Sequence, residues 1–231
     1  MDLNSLISRF YHSNFFSRIF HTTVYCLQRE LENCESVLDV GCGPNSPLQY
    51  CQNIKYSVGV EPFKPYLEKS KERRIHTKYL NKKIEELSFP EKSFDAVVMV
   101  EVLEHLDKKT AIDVLREAGK WAKKKIIITT PNGYIEQLEL DKNPYQVHKS
   151  GWAVKELEKF GFRYRGLAGL KILRRTKEDS DSMDDNLLVS IKFQPKIFWF
   201  VLAALSQIVT YYFPSIAFEL FCVKNYHENE N

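Results

Sequence analysis

Val37-Leu38-Asp39-Val40-Gly41-Cys42-Gly43-Pro44 is the stretch that decides the fold. A short run dominated by branched apolar side chains passes without a break into a glycine turn. A buried parallel strand delivers its chain to the edge of a sheet in this way. Gly41 and Gly43 can take backbone angles closed to other residues, and their missing side chains let a ligand approach the main chain. The helix expected next presents free N–H groups at its start. Such a strand–turn–helix binds nucleotides at the carboxyl edge of a sheet.

Working outward, the runs at 36–40, 56–60, 96–100 and 125–130 share this character. Runs so short and β-branched predict buried parallel strands, with crossover helices in the mixed stretches between them. One such stretch, 109–124, sets Ile112, Leu115, Ala118, Trp121 and Ala122 on one face with charges elsewhere. Another, 152–160, closes on Gly161, a usual helix stop. Before the first strand, apolar residues including Leu6, Phe10, Phe15, Val24, Leu27 and Leu31 recur at helical spacing and predict N-terminal helices. The pattern is that of an α/β chain with a Rossmann-like, doubly wound, mostly parallel sheet. At 231 residues it fits one domain. That domain divides into N-terminal helices over 1–34, a cofactor-binding core over 35–172, and a tail over 173–231 holding a mobile loop, an apolar helix and a last strand.

Composition excludes several classes. A 44% hydrophobic and 13% aromatic chain has ample material for a core, so global disorder is excluded. The balance of 33 basic and 30 acidic residues, net +3, is too even to imply nucleic-acid binding by itself. The five cysteines, Cys26, Cys34, Cys42, Cys51 and Cys222, form no CxxC pair and are odd in number. That argues against a disulfide framework or structural zinc and for a reducing cytosol. The N-terminus has no uninterrupted apolar stretch of signal-peptide length, so a cytoplasmic location is expected.

Two ligand classes use the glycine turn. A dinucleotide fold wants a third glycine three places after the second, where this chain has Ser46, and Pro44 sits early in the turn. Glu61 ends the second run, where a carboxylate can accept both ribose hydroxyls of either ligand. The discriminating element is Ser93-Phe94-Asp95-Ala96-Val97-Val98-Met99-Val100-Glu101-Val102-Leu103-Glu104-His105-Leu106. With VLDVGCG and the later strand ending in Pro131-Asn132, it closely resembles the class I S-adenosylmethionine-dependent methyltransferases, of the type 11/23 group. The resemblance implies a seven-stranded sheet with a late apolar helical insertion before the last strand. It places Asp39, Gly41, Cys42 and Gly43 around the methionine part of the cofactor, and Glu61 with Pro62 at the ribose. Ile84 and Glu85 would flank the adenine, and Val100, Glu101 and Val102 would line the sulfonium end. Many relatives have an aspartate where this chain has Lys83, and lysine cannot accept from the adenine amino group. Glu85 or a backbone group must substitute.

Methyl transfer to a hydroxyl needs a proton removed, by a base or by a metal that lowers the hydroxyl pKa. Glu101, Glu104 and His105 form an E-x-x-E-H cluster whose spacing puts them on one face of a helical turn, and His148 follows later. The pattern resembles that of metal-assisted O-methyltransferases, including ubiquinone-pathway enzymes and small-RNA 2′-O-methyltransferases. On that resemblance Glu101, Glu104, His105 and His148 would hold a divalent cation such as magnesium. The alternatives are His105 or His148 acting as base, with Glu104, and purely structural roles. The segment 133–147 is long for a connection and reads as a lid. With Tyr134, Tyr145, the N-terminal helices and the 197–213 helix it would build an apolar pocket for a small or lipid-like acceptor. Competing readings are RNA 2′-O-methylation and a catalytically inactive, methyltransferase-like interaction protein. The basic residues Lys69, Lys71, Arg73, Arg74, Lys78, Lys82 and Lys83 alternate with glutamates and read as a solvated face, so nucleic acid is not the expected partner.

Two late segments complete the reading. The polar stretch 174–186 reads as a solvated, mobile loop. The run 197–213 (IFWFVLAALSQIVTYYF) has no charge, yet it includes Ser206, Gln207 and Thr210 and precedes a strand-like AFELFCV. A spanning helix would strand that last run across the bilayer from its sheet, so spanning is rejected. Core or pocket packing and peripheral membrane contact remain as the two readings.

Overall fold

The computed structural model describes residues 19–175, 177–178 and 190–226. Its main sheet has seven strands in the order β3-β2-β1-β4-β5-β9-β7. These are β1 (Ser36–Val40), β2 (Tyr56–Val60), β3 (Lys78–Leu80), β4 (Phe94–Val100), β5 (Ala122–Pro131), β7 (Arg163–Leu170) and β9 (Ala217–Asn225). β9 runs antiparallel to both neighbours, while β3 through β5 are parallel throughout. Two short strands, β6 (Glu136–Gln137) and β8 (Lys177–Glu178), pair separately. The helices are α1 (Thr23–Glu30), α2 (Lys64–Glu72), α3 (Lys108–Trp121), α4 (Val154–Glu158) and α5 (Lys196–Tyr212).

Alternation along the strands explains why the sheet is wound on both sides. Leu38, Val97 and Ile126 face one core with Ala111, Leu115 and Trp121 of α3. Their neighbours Val37, Ala96, Val98 and Ile127 face the other core with Leu27 of α1 and the following Leu31. Each central strand is therefore apolar on both faces, which a parallel sheet covered by helices requires. Chain order reverses between β1 and its neighbours β2 and β4, and at such a switch point a crevice opens at the carboxyl edge.

The four apolar runs are strands, but helix bounds differ from the spacing. α3 ends at Trp121, and 122–124 already belong to β5. The lysines there are drawn away from a helical course: Lys124 Nζ donates to the Asn33 carbonyl at 2.8 Å and Lys125 Nζ to the Glu30 carbonyl at 2.6 Å. α4 is only five residues long, with Trp152 before it and Gly161 beyond it at φ +80°. β3 and β7, both edge strands, went unread. Of the N-terminal helices, α1 is described and residues 1–18 lie outside the described part. The expected loop at 174–186 also falls largely outside it, apart from β8.

α5 packs on the edge strand β7 with its polar side inward. β7 shifts register between Leu167 and Leu170, with Ala168 and Gly169 at φ +60° and +74°. Such a bulge frees backbone groups from the ladder. Gln207 Oε1 accepts from Gly169 N at 2.8 Å, Gln207 Nε2 donates to Gly166 O at 3.0 Å, and Ser206 Oγ accepts from Leu170 N at 2.9 Å. The helix comes so close that a Cβ on Gly169 would meet the Ala203 carbonyl at 2.1 Å. Phe198, Val201, Leu205, Ile208, Val209 and Tyr212 consequently face solvent. Replacing Gln207 by Met keeps the volume and orphans two buried backbone groups. Urea unfolding should show a loss of roughly 1–3 kcal/mol; an unchanged midpoint would mean that the bulge does not depend on Gln207.

Candidate functional site

The carboxyl ends of β1, β2 and β4 open into one cavity of about 620 Å³. It is lined by Asp39, Gly41, Cys42, Gly43, Glu61 and Pro62, by Ile84 and Glu85, and by Val100, Glu101, Val102, Glu104, His105 and His148. Every residue that the sequence assigned to cofactor, catalysis or metal reaches this one space.

The glycine turn is strapped to β2, since Gly41 N and Cys42 N both donate to the Val60 carbonyl, at 2.8 and 3.0 Å. Its two glycines do different things. A Cβ on Gly41 (φ +70°) would strike Val102 at 2.6 Å, so its bare face makes room for a protein side chain. Nothing lies within 4 Å of a Cβ built on Gly43 (φ +57°), which faces open space. The buried Asp39 carboxylate accepts from Ser46 Oγ at 2.5 Å and lies 3.2 Å from His76 Nε2. Ser46, the residue that breaks the dinucleotide pattern, thus ties the turn back to its own strand. His76 was not legible, having no motif around it. The signal that could have found it is Gly59, where a Cβ would sit 2.4 Å from the His76 ring.

Glu61 ends β2 with both carboxylate oxygens on backbone donors: Oε2 accepts from Gly43 N at 3.1 Å and Oε1 from Phe63 N at 2.9 Å. Burial nevertheless pushes its carboxyl up to about 7. Where the sequence would place the adenine, the Lys83 ammonium lies 5.9 Å from the centre of the Tyr145 ring, and Lys83 N donates to Glu86 Oε2 at 3.1 Å. Glu85 is exposed on the cavity wall.

The opposite end is built around Glu104. Its carbonyl accepts from Lys149 N and Ser150 N, at 2.7 and 3.0 Å. Ser150 Oγ donates to the Leu103 carbonyl at 3.1 Å and accepts from the buried Trp152 indole at 3.1 Å. This strapping carries His148 to His105, with ring centres 4.8 Å apart. His148 Nδ1 lies 2.8 Å from the Ile135 carbonyl and His105 Nδ1 lies 3.4 Å from that of Val147. A carbonyl only accepts, so the short His148 contact puts that ring's proton on Nδ1 and leaves its Nε2 as an acceptor. Burial lowers both imidazoles, His105 to about 4 with the neighbouring His148 adding to it.

Glu104 is fully buried. Oε2 accepts from Thr130 Oγ1 at 3.0 Å, Oε1 is buried with no donor on it, and the carboxyl also meets that of Glu101. Desolvation holds its carboxyl well above the usual range. Glu104, His105 and His148 offer ligand atoms within 4.8 Å of one another. Glu101 stands outside this trio, at φ +53°, with Oε1 accepting from Thr129 Oγ1 at 2.8 Å. The segment 133–147 covers the cavity with Gln137, Leu140, Tyr145 and Gln146, and Tyr66 pins it by donating to Asp141 at 2.7 Å. Tyr134 is exposed and 197–213 contributes nothing to the lining, because α5 lies on the far edge strand.

Residues 38–128 match the family model of a methyltransferase domain. The fold is similar to that of an SAM-dependent methyltransferase from Archaeoglobus fulgidus, at 19% identity and a TM-score of 0.53, covering 92% of this chain and 98% of that one. It is also similar to the plantazolicin methyltransferase BpumL in complex with SAH, at 14% identity and a TM-score of 0.51, covering 97% of this chain and 89% of that one. No curated protein matches the sequence.

The raised Glu61 pKa makes a stability prediction. Its folded pKa lies above the unfolded one, so its contribution is full at low pH and is lost as pH rises through about 7. Glu61→Gln should match the wild type near pH 5 and be more stable by roughly 1–3 kcal/mol at pH 8 in the ligand-free state. Thermal unfolding across that range checks this, and a constant difference would show that Glu61 is not strained by burial.

Proposed function

We propose that this chain, a class I S-adenosylmethionine-dependent methyltransferase, methylates a hydroxyl oxygen on a small or lipid-like acceptor, with Glu104, His105 and His148 handling the acceptor oxygen. One observation carries the reading: a buried carboxylate with one oxygen lacking a donor stands against two imidazoles held neutral, each with Nδ1 on a backbone carbonyl. These groups line the same cavity as the glycine turn.

The three side chains fit a divalent cation. The carbonyls on His105 Nδ1 and His148 Nδ1 orient both rings in the way that outer partners orient metal ligands. The unmatched Glu104 oxygen would gain the partner it lacks. Two imidazoles with one carboxylate suit zinc, manganese, cobalt or nickel better than magnesium, which prefers oxygen donors. A cation held there would polarise the acceptor hydroxyl and lower its pKa. Without one, His148 is the better base of the two, because His105 at about 4 is a weak acceptor at neutral pH.

Glu61 would take the ribose hydroxyls, which stabilise its ionised form. Gly43 leaves room for the methionine end, and the 133–147 lid with Leu140 and Tyr145 would exclude water around the transferring methyl. The lining supplies only a few charged groups near Glu104, which favours an uncharged acceptor over a polyanion.

The experiment is transfer of labelled methyl groups from S-adenosylmethionine into separated lipid, small-molecule, RNA and protein fractions of a lysate. Label should enter the lipid or small-molecule fraction, released from the product by conditions that cleave methyl ethers or esters. His148→Ala should lower it by roughly 100-fold or more. If the cation operates, EDTA should reproduce that loss and cobalt should restore turnover, with a visible absorption band from bound cobalt that His105→Ala abolishes. Label confined to RNA, or turnover indifferent to both histidines, would contradict the proposal.

A further inference from the structure

α5 is amphipathic in the inverted sense. Its inward face carries Ser206, Gln207 and Thr210, while its outward face carries Phe198, Val201, Leu205, Ile208 and Tyr212 at i, i+3, i+4 and i+7 spacing. Leu205, at the middle, is 50% exposed. The chain just past the helix exposes Phe213 and Ile216 as well. Contiguous apolar surface of this size on a soluble fold marks an interaction site. At 17 residues the helix is about 25 Å long by its rise per residue. Among the described residues no helix is long and apolar enough to cross a membrane.

A second feature adjoins it. A cavity of about 190 Å³ opens beside the last turn of α5 and shares Tyr211 with it. Arg29, Arg163 and Arg165 line it together with Tyr25 and Glu30. Glu30 is matched by Arg163 at 2.7 Å and Lys125 at 3.3 Å, so Arg29 and Arg165 give the cavity a positive surplus. The Arg165 guanidinium lies 5.4 Å from the Tyr211 ring centre, which fixes this charge against the helix. Residues 190–218, which include the helix, contain Lys192 and Lys196 and no acidic residue. The acidic run between 178 and 185 lies outside the described side chains. The ends of its stretch are tied elsewhere: β8 pairs with β6 of the lid, and Ser190 lines the large cavity.

We infer that the outer face of α5 docks in the interface of an anionic phospholipid bilayer, with a lipid phosphate taken by the Arg29–Arg165 cavity. An apolar helix face beside cationic side chains is the chemistry of interfacial binding. A protein partner or a second copy would meet a polar rim on a matching interface. Here the helix's Ser206 and Gln207 are spent inward on β7, and the exposed arc offers only the Tyr212 hydroxyl at its last turn. The inference stands apart from the choice of methyl acceptor.

The test is sedimentation of the full chain with vesicles of phosphatidylcholine alone and of phosphatidylcholine mixed with phosphatidylserine. The wild type should sediment with the mixed vesicles, and more weakly with the neutral ones. Leu205→Glu should abolish sedimentation with both while leaving thermal unfolding unchanged, since the residue is exposed. Arg29→Ser with Arg165→Ser should remove the anionic preference, an effect of more than about tenfold, and leave the weak neutral binding. A wild type that stays in the supernatant with both vesicles would overturn the inference. So would a Leu205→Glu variant that still sediments, or one whose only effect is to split a dimer seen by light scattering. Full anionic preference in the double arginine variant would overturn the headgroup assignment.

Discussion

Glu104 is held from both of its ends, and the site depends on that. Its carbonyl is clamped by Lys149 N and Ser150 N, while its carboxylate is drawn inward to Thr130. The first contact ties the end of β4 to the segment that closes the cavity and sets His148 against His105. The second keeps a carboxylate away from water with one oxygen unmatched. A buried group of this kind costs stability unless a ligand completes it. Glu61 is a second buried carboxylate on the same cavity, with its two oxygens on the backbone N–H groups of Gly43 and Phe63. Both carboxylates are raised by burial, so the ligand-free chain holds unfavourable charge at the points where ligands would relieve it.

How far the sequence could be read follows from which forces act locally. β1, β2, β4 and β5 are buried on both faces, so their apolar runs stand out from the chain. β3 is three residues at an edge, and β7 reads RYRGLAGL, where arginines and glycines hide the period. The arginines serve the cavity beside α5, and the glycines admit a helix at backbone distance. Neither need is visible without the fold. The helix at 197–213 was legible as a helix, but its orientation was not. Hydropathy would turn Leu205 and Ile208 inward. The β7 bulge instead needs donors and acceptors, and Gln207 and Ser206 supply them. Three backbone groups of β7 take their partners from α5, and that need orients the helix.

The site shows the same division. The glycine turn, Glu61 and the E-x-x-E-H stretch were readable because each motif is contiguous. The separate jobs of Gly41 and Gly43, the Asp39–His76 contact and the exclusion of Glu101 from the Glu104 trio depend on packing between segments far apart in the chain. The matched methyltransferase-domain model ends at residue 128 and so stops short of His148 and the lid.

Everything proposed for this chain requires that the cavity at Asp39–Gly43 take S-adenosylmethionine. Calorimetric titration of the full chain with S-adenosylmethionine and, separately, with NAD tests it most directly. One-to-one binding of S-adenosylmethionine, weakened in Glu61→Ala and with no heat from NAD, is the result this account requires. Binding of NAD alone, or of neither ligand, would contradict it.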